Sequence, residues 1–404
     1  MKYIIVLGDG MADEPMALLG GLTALQAANT PHIDRLAKMG CSGMLDTIPP
    51  GMHPGSEIAN MAVLGYNVPA VFEGRGVLEA ASIGVILEPD DMALRCNLIC
   101  IEEGRIKNHS AGHISSEEAH QLIQFLNEHL GSDSVKFYPG VSYRHLLVIK
   151  GGNKQVTCAP PHDYMGEMFH NLLVKPFGDQ SAETANLLNR LIESSQQLLT
   201  DHPVNQKRKA AGLDPANSIW PWSPGYKPQM PTLNEMWGIQ QSAVISAVDL
   251  IQGIGVLAGM EVIKVEGATG LYNTNYEGKA AAALEALQKN DLVYLHIEAS
   301  DEAGHEGDAL LKVKTIEYLD HRVVRTLLEQ TANWTEPVTI ALLPDHPTPC
   351  ALKTHTRAPV PFIIYTPGME PDEVIEYNEF SAQKGKFGLL TGPEFMQTLL
   401  LGKK

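Results

Sequence analysis

Basic residues are in short supply. Thirty Lys and Arg stand against 47 Asp and Glu, giving a formal net charge of −17, and the cations are scattered rather than clustered. That balance argues against nucleic acid or an anionic membrane surface as a partner. It also means that an anionic substrate must be met by local cations. Cysteine is sparse and unpatterned: Cys41, Cys96, Cys100, Cys158 and Cys350 are odd in number and form no Cys-x-x-Cys. A disulfide framework and a structural zinc site are therefore not expected, and a reducing, cytoplasmic setting is. The apolar stretch over residues 244–259 is broken by Asp249 and is too short to span a bilayer, so it reads as a buried helix. The first strand begins at Tyr3, so no leader peptide is expected ahead of it. Internal repeats, low-complexity tracts and a Gly-x4-Gly-Lys-Ser/Thr nucleotide loop are all absent.

What is present is a globular chain of 404 residues with 44% hydrophobic and 19% charged content, long enough for two or more domains. Strand 3–7 leads into a Gly-rich loop, then a helix over 31–40 that Thr30 can cap and Pro31 can open. After the turn-rich stretch 47–56 a helix is expected to start at Glu57. From about residue 90 the texture changes. Strands at 92–102 and 141–150 flank a capped amphipathic helix at 115–130, a helix covers 182–199, and 201–231 reads as an irregular connection. From about 240 the alternation returns: helix 242–258, strand 261–264, helix 278–288, strand 292–297, helix 309–330, then strands 338–343 and 361–365. The expected plan is α/β, a doubly wound sheet formed by residues 1–89 and 241–404, with an inserted α+β domain over 90–240.

Metal-ligand residue types recur just after the apolar runs. Asp9 follows 3–7, Asp301 and His305 follow 292–297, Asp345 and His346 follow 338–343, and His355 comes soon after. Ser56 stands in Pro-Gly-Ser-Glu, the one nucleophile candidate in comparable company. Strand carboxyl ends of a doubly wound sheet line one crevice, so six ligands and one hydroxyl are expected to converge there, as two-metal phosphoryl transfer requires. Each motif alone has an ordinary reading: Asp9 as a turn residue, His346 as a core histidine, Ser56 as a helix cap. Their shared position favours the chemical one. The two glycines of Asp301-Glu-Ala-Gly-His305-Glu-Gly suggest a loop.

With Gly8-Asp9-Gly10, Pro54-Gly55-Ser56-Glu57, Asp301-x3-His305, Pro344-Asp345-His346-Pro-Thr-Pro and His355 in view, the chain resembles the alkaline phosphatase superfamily. Within it the chain is most similar to the archaeal-type 2,3-bisphosphoglycerate-independent phosphoglycerate mutases. Supporting text includes 29–36, 74–80, 111–115, 267–270 and 273–279. The resemblance implies two divalent metals, usually manganese, a transiently phosphorylated Ser56, and no 2,3-bisphosphoglycerate cofactor; the Asp and His donor set by itself suits manganese or zinc. It implies Asp9, Ser56, Asp345 and His346 around one metal, and Asp301, His305 and His355 around the other. It implies a small phosphorylated metabolite as substrate and an inserted domain acting as a substrate-binding lid. One departure stands out: where the family carries arginines, residues 108–114 hold His109, Ser110 and His113. Arg75, Arg95, Arg144 and Lys279 remain as anion-binding candidates, with His109 and His113 beside them. A related subgroup proposed as homoserine kinases supplies a second reading, and a hydrolytic phosphatase a third. The sequence does not specify an oligomeric state.

Overall fold

A computed structural model describes residues 1–401, and these form two compact units. The first comprises residues 1–72 and 230 onward, and the second residues 73–229. These borders differ from the expected 89/90 and 240/241. The helix Arg75–Ser82 packs on the strands Asp91–Glu102 and Ser218–Tyr226 and so belongs with the second unit. On the other side, Tyr66 Oη donates to the Pro231 carbonyl at 2.7 Å and Trp237 Nε1 to that of Leu64 at 3.3 Å, which ties 230–240 to the first unit.

The first unit is built on an eight-stranded sheet. Its strand order is Glu261–Val262, Ser242–Ile245, Leu292–Ile297, Lys2–Gly8, Val338–Leu343, Val360–Tyr365, Cys41–Asp46 and Gly388–Thr391. Lys2–Gly8 pairs in parallel with both of its neighbours, Ile4 lying opposite Val293 on one side and Ile340 on the other. Such strands are covered on both faces, which is why they read as unbroken apolar runs. Val360–Tyr365 runs antiparallel to both neighbours, so the sheet is mixed. The α/β class is as expected from sequence.

Several elements depart from expectation. The run 242–258 is a strand, Ser242–Ile245, followed by a helix, Asp249–Leu257. A continuous apolar run gives no period by which to separate the two. Asp301 and His305 lie on a helix, Ala299–Glu306, not a loop; Gly307 ends it with φ +75°, while Gly304 is internal. The expected helix 309–330 is present, but Leu319–Val324 within it is π-helical. Thr30 makes no side-chain cap to the helix Pro31–Met39. Instead Asp320 Oδ1 accepts from the backbone N–H groups of His32 and Ile33 at 2.9 and 2.7 Å.

The second unit holds a five-stranded antiparallel sheet around Asp91–Glu102, covered by the helices Ser116–Leu130 and Ala182–Leu199. Part of 201–231 is regular: a helix Pro203–Ala210 and a strand Ser218–Tyr226. Among the described residues, that strand pairs only with Asp91–Glu102, and an edge strand tolerates Pro221 and Pro224, which disguise it in the sequence. No helix among the described residues is long and apolar enough to cross a membrane.

Candidate active site and metal centre

Three adjacent parallel strands of the first unit deliver the chemistry. Lys2–Gly8 ends in Asp9, Val338–Leu343 in Asp345 and His346, and Leu292–Ile297 carries His296 and leads to Glu298 and Asp301. Gly10 follows Asp9 in a left-handed conformation, φ +61°. A Cβ there would sit 2.6 Å from Thr348 Oγ1 and 2.7 Å from Asp301 Oδ1, so only glycine lets the first loop approach so closely.

Asp9, Asp345 and His346 are fully buried, and each offers a ligand atom within 4.8 Å of the others. His346 Nε2 lies 3.3 Å from Asp345 Oδ2 and 3.6 Å from Asp9 Oδ1. Ser56 opens the helix Ser56–Val63, with Gly55 as the capping position, so its hydroxyl is not spent on the helix end. Its Oγ stands 3.2 Å from His346 Nε2. Asp301, His346 and His355 form a second such group, with His355 Nε2 3.4 Å from Asp301 Oδ1 and His305 Nε2 3.2 Å from Asp301 Oδ2. His305 and His355 turn their Nε2 atoms toward one point, 2.9 Å apart. The structure thus brings all seven expected residues together, and His346 belongs to both groups.

Asn60 donates to Asp345 Oδ2 at 2.9 Å and to the Ser56 carbonyl at 2.8 Å, while Tyr294 Oη donates to Asn60 Oδ1 at 2.5 Å. Thr348 Oγ1 bonds both Asp301 Oδ1, at 2.5 Å, and His346 Nδ1, at 3.2 Å, directing Nε2 toward Ser56. Lys312, buried, holds Asp13 Oδ2 at 2.7 Å and the Ala12 and Thr348 carbonyls at 3.1 and 2.9 Å. These residues fix the ligands, and their spacing carried no signal in the sequence.

His296 and Glu298 form a third group with Asp9, His296 Nε2 lying 2.9 Å from Asp9 Oδ2 and 3.5 Å from Glu298 Oε2. His296 is the one polar, ligand-type residue besides Tyr294 in the buried run 292–297, and the apolar run around it concealed it in the sequence. Lys279, on the helix Tyr276–Lys289, has its buried Nζ 3.3 Å from the Thr269 carbonyl and 3.5 Å from that of His296.

Burial, then the neighbouring charges of Asp345, Glu298 and Asp301, push the Asp9 carboxyl well above the carboxylate range. Burial and Asp301 push Glu298 up to about 8. Burial opposes charge on Asp301 as well, but hydrogen bonds with His305 and His355 outweigh it and hold that carboxyl well below the usual range. Burial lowers His296 to about 3 and lowers His346, so both imidazoles are neutral and their lone pairs can bind a cation. Asp9 Oδ1 is buried without a hydrogen-bond partner. Four crowded acids, an orphaned carboxylate oxygen and neutral imidazoles fit divalent cations of the borderline-hard kind.

The other expected residues lie in the second unit and form a patch of their own. Arg95 pairs with Glu79 at 3.2 Å and sits 5.1 Å over the Trp222 ring. Arg144 lies 5.9 Å over Tyr143, and the rings of His109 and His113 stand 5.7 and 6.3 Å from the same tyrosine. His162, missed in the sequence, lies 6.2 Å from His109 and 5.4 Å from Trp222. Burial lowers the His162 and His109 pKa values; Arg75 and Arg95 add to the effect on His162, and His113 and Arg95 to that on His109. Arg95 Nε is buried without a hydrogen-bond partner. The patch gathers cations around polar donors, as an anion-binding surface does.

Adjacent parallel strands whose ends gather carboxylates and imidazoles around a serine define a class, the metal-dependent phosphotransfer enzymes. The family model described as 2,3-bisphosphoglycerate-independent phosphoglycerate mutase matches residues 37–205. The mutase of that name from Methanosarcina acetivorans is 49% identical over 404 residues, 99% of this chain and 100% of its own. The chain belongs to the family of 2,3-bisphosphoglycerate-independent phosphoglycerate mutases. Among solved structures, the PH0037 protein of Pyrococcus horikoshii superimposes with a TM-score of 0.84 at 30% identity, covering 100% of this chain and 98% of that one. The cofactor-independent phosphoglycerate mutase of Thermoplasma acidophilum gives 0.67 at 26% identity over the whole of both chains.

Proposed function

We propose that this protein interconverts 3-phosphoglycerate and 2-phosphoglycerate through a phosphoserine at position 56, without 2,3-bisphosphoglycerate. The observation that carries the reading is the Ser56 hydroxyl, 3.2 Å from His346 Nε2 and free of any capping duty at the helix start. Asp9, Ser56, Asp345 and His346 would hold one divalent cation and Asp301, His305 and His355 the other, manganese by preference and zinc as the second choice for this Asp and His donor set. Bound there, the cations favour the ionised serine and neutralise charge on the phosphoryl oxygens.

The protein's own part is orientation. Thr348, bonded to Nδ1, points the neutral His346 ring at Ser56 Oγ, and Asn60 ties the Ser56 carbonyl to Asp345. In the first transfer the Oγ–P bond forms as the ester O–P bond breaks, and the serine proton ends on the departing oxygen. The neighbouring hydroxyl of the bound glycerate then attacks the phosphoserine, and the proton returns to Oγ. Arg75, Arg95, Arg144, His109 and His113 would grip carboxylate and phosphate, and Lys279 would add positive charge at the strand ends. The second unit would serve as the substrate-binding lid, since the phosphoserine must be kept from water between the two transfers. Five free thiols support a cytoplasmic setting.

The histidines at 109 and 113 favour one alternative, a homoserine kinase, because an amino acid that arrives unphosphorylated needs fewer arginines. Purified protein loaded with manganese decides between them. Turnover of 3-phosphoglycerate to 2-phosphoglycerate supports the mutase, whereas phosphorylation of homoserine from ATP with no turnover of 3-phosphoglycerate overturns it.

A further inference from the structure

In the first unit, another set of ligand-type side chains lies on elements that carry none of the active-site residues. His32, Asp320 and His321 each present a ligand atom within 4.8 Å of the others. His32 sits in the first turn of the helix Pro31–Met39, and the other two are consecutive in the π-helical segment Leu319–Val324. A π-turn costs hydrogen-bond geometry and is found mostly where a function requires it. Here the extra residue per turn lets Asp320 face the neighbouring helix while His321 stays beside it.

The Asp320 carboxylate is divided in its work. Oδ1 accepts from the backbone of His32 and Ile33 at 2.9 and 2.7 Å, which fixes the group in place. Oδ2 is buried with no hydrogen-bond partner, 3.3 Å from His321 Nδ1. A ligand carboxylate anchored through one oxygen and open at the other is the arrangement that orients metal ligands. The His32 and His321 rings meet edge to face, centroids 5.7 Å apart and planes at 82°. Neither ring is fully buried, so modest rotations about their side-chain bonds can bring both nitrogens onto one ion. A set of three protein ligands leaves a fourth tetrahedral position for water.

We propose that His32, Asp320 and His321 form a binding site for a divalent transition-metal ion of the zinc, cobalt and nickel class, joining the helix Pro31–Met39 to the π-helical segment. Two imidazoles and a single carboxylate favour these ions over magnesium and calcium, which prefer all-oxygen sets. The competing account of the same geometry is an ion pair between Asp320 and a protonated His321.

Crystals of the wild-type protein soaked in zinc chloride, measured on both sides of the zinc absorption edge, test the site without a variant. An anomalous peak bounded by His32, Asp320 Oδ2 and His321 is expected. Peaks confined to Asp9, Asp301 and their neighbours overturn the proposal. In solution, metal-stripped wild type and the His32→Ala/His321→Ala double variant are loaded with zinc, gel-filtered and analysed for metal. Wild type should retain one equivalent more than the variant, with mutase activity in manganese unchanged by the substitutions. Equal retention in a folded variant overturns the site in favour of the ion pair. If the variant does not fold, the diffraction result decides alone.

Discussion

Replacing Gly304 with alanine would add one methyl group at the point where the ligand helix meets the ligand loop. Gly304 lies between Asp301 and His305, and a Cβ there would stand 2.4 Å from the Thr348 carbonyl oxygen, 2.8 Å from its Cγ2 and 3.0 Å from its Cβ. The nearest atom belongs to the backbone and cannot swing aside. Reaching ordinary contact at about 3.4 Å requires the helix and loop to separate by about 1 Å, a displacement that well-packed interiors resist. Such overpacking costs roughly 1–3 kcal/mol, against roughly 1 kcal/mol gained from alanine's better helix propensity. Net stability should therefore fall by about 2 kcal/mol at most. Function should suffer more. Thr348 bonds Asp301 on one side of the seam and His346 on the other, so the separation pulls the two ligand groups apart. Misplacement of about 1 Å costs on the order of 100-fold in rate. Chemical denaturation paired with kcat/KM on 3-phosphoglycerate at saturating manganese gives both quantities. A variant with wild-type kcat/KM would refute the claim that this seam sets the catalytic geometry.

Other consequences are as direct. Exhaustive chelation should abolish turnover and readdition of manganese should restore it; full activity in the stripped protein would remove the metals from the account. Alanine at Arg144 should lower kcat/KM for 3-phosphoglycerate by roughly 30-fold or more, since a desolvated charge contact is worth about 2–5 kcal/mol, and an unchanged value would take Arg144 out of substrate binding. Burial holds His145 neutral in the second unit, its pKa lowered to about 3, with Nδ1 accepting from the Gly140 N–H at 3.0 Å. Because that folded value lies below the unfolded one of 6.5, its contribution is present above pH 6.5 and is lost as pH falls toward 3, by about 1.4 kcal/mol per pH unit. Acid unfolding of His145→Asn should thus show a shallower loss of stability between pH 6.5 and 4.5 than wild type; parallel curves would assign the effect elsewhere.

How far the sequence alone reveals this molecule follows from what each residue has to signal. The strand ends were legible because a central parallel strand is buried on both faces, and a charged residue one position beyond such a run, Asp9 after Gly8 or Asp345 after Pro344, has few structural reasons to be there. Asp9, Asp345 and His346 stand at the site for that reason, and Ser56, Asp301, His305 and His355 are brought to them by a helix start, a following helix and a later loop. His296 was hidden inside the apolar run that makes its strand. Asn60, Thr348 and Lys312 were hidden because their partners lie 285, 47 and 299 residues away, and spacing carries no trace of such contacts. The glycines near Asp301 suggested a loop, but one ends a helix and the other allows close packing. In the second unit, two prolines concealed an edge strand, and the cationic patch is drawn from strand, helix and turn residues far apart in the chain.

The central claim is the phosphoserine, and one experiment reaches it directly. Manganese-loaded protein mixed with 3-phosphoglycerate and quenched in acid, then digested and analysed by mass spectrometry, should carry phosphate on Ser56, and Ser56→Ala should carry none and turn nothing over. The substitution should leave the fold intact, because a small hydroxyl at a helix start is worth only about 0.5–2 kcal/mol. A Ser56→Ala enzyme that still interconverts the two phosphoglycerates would contradict the account.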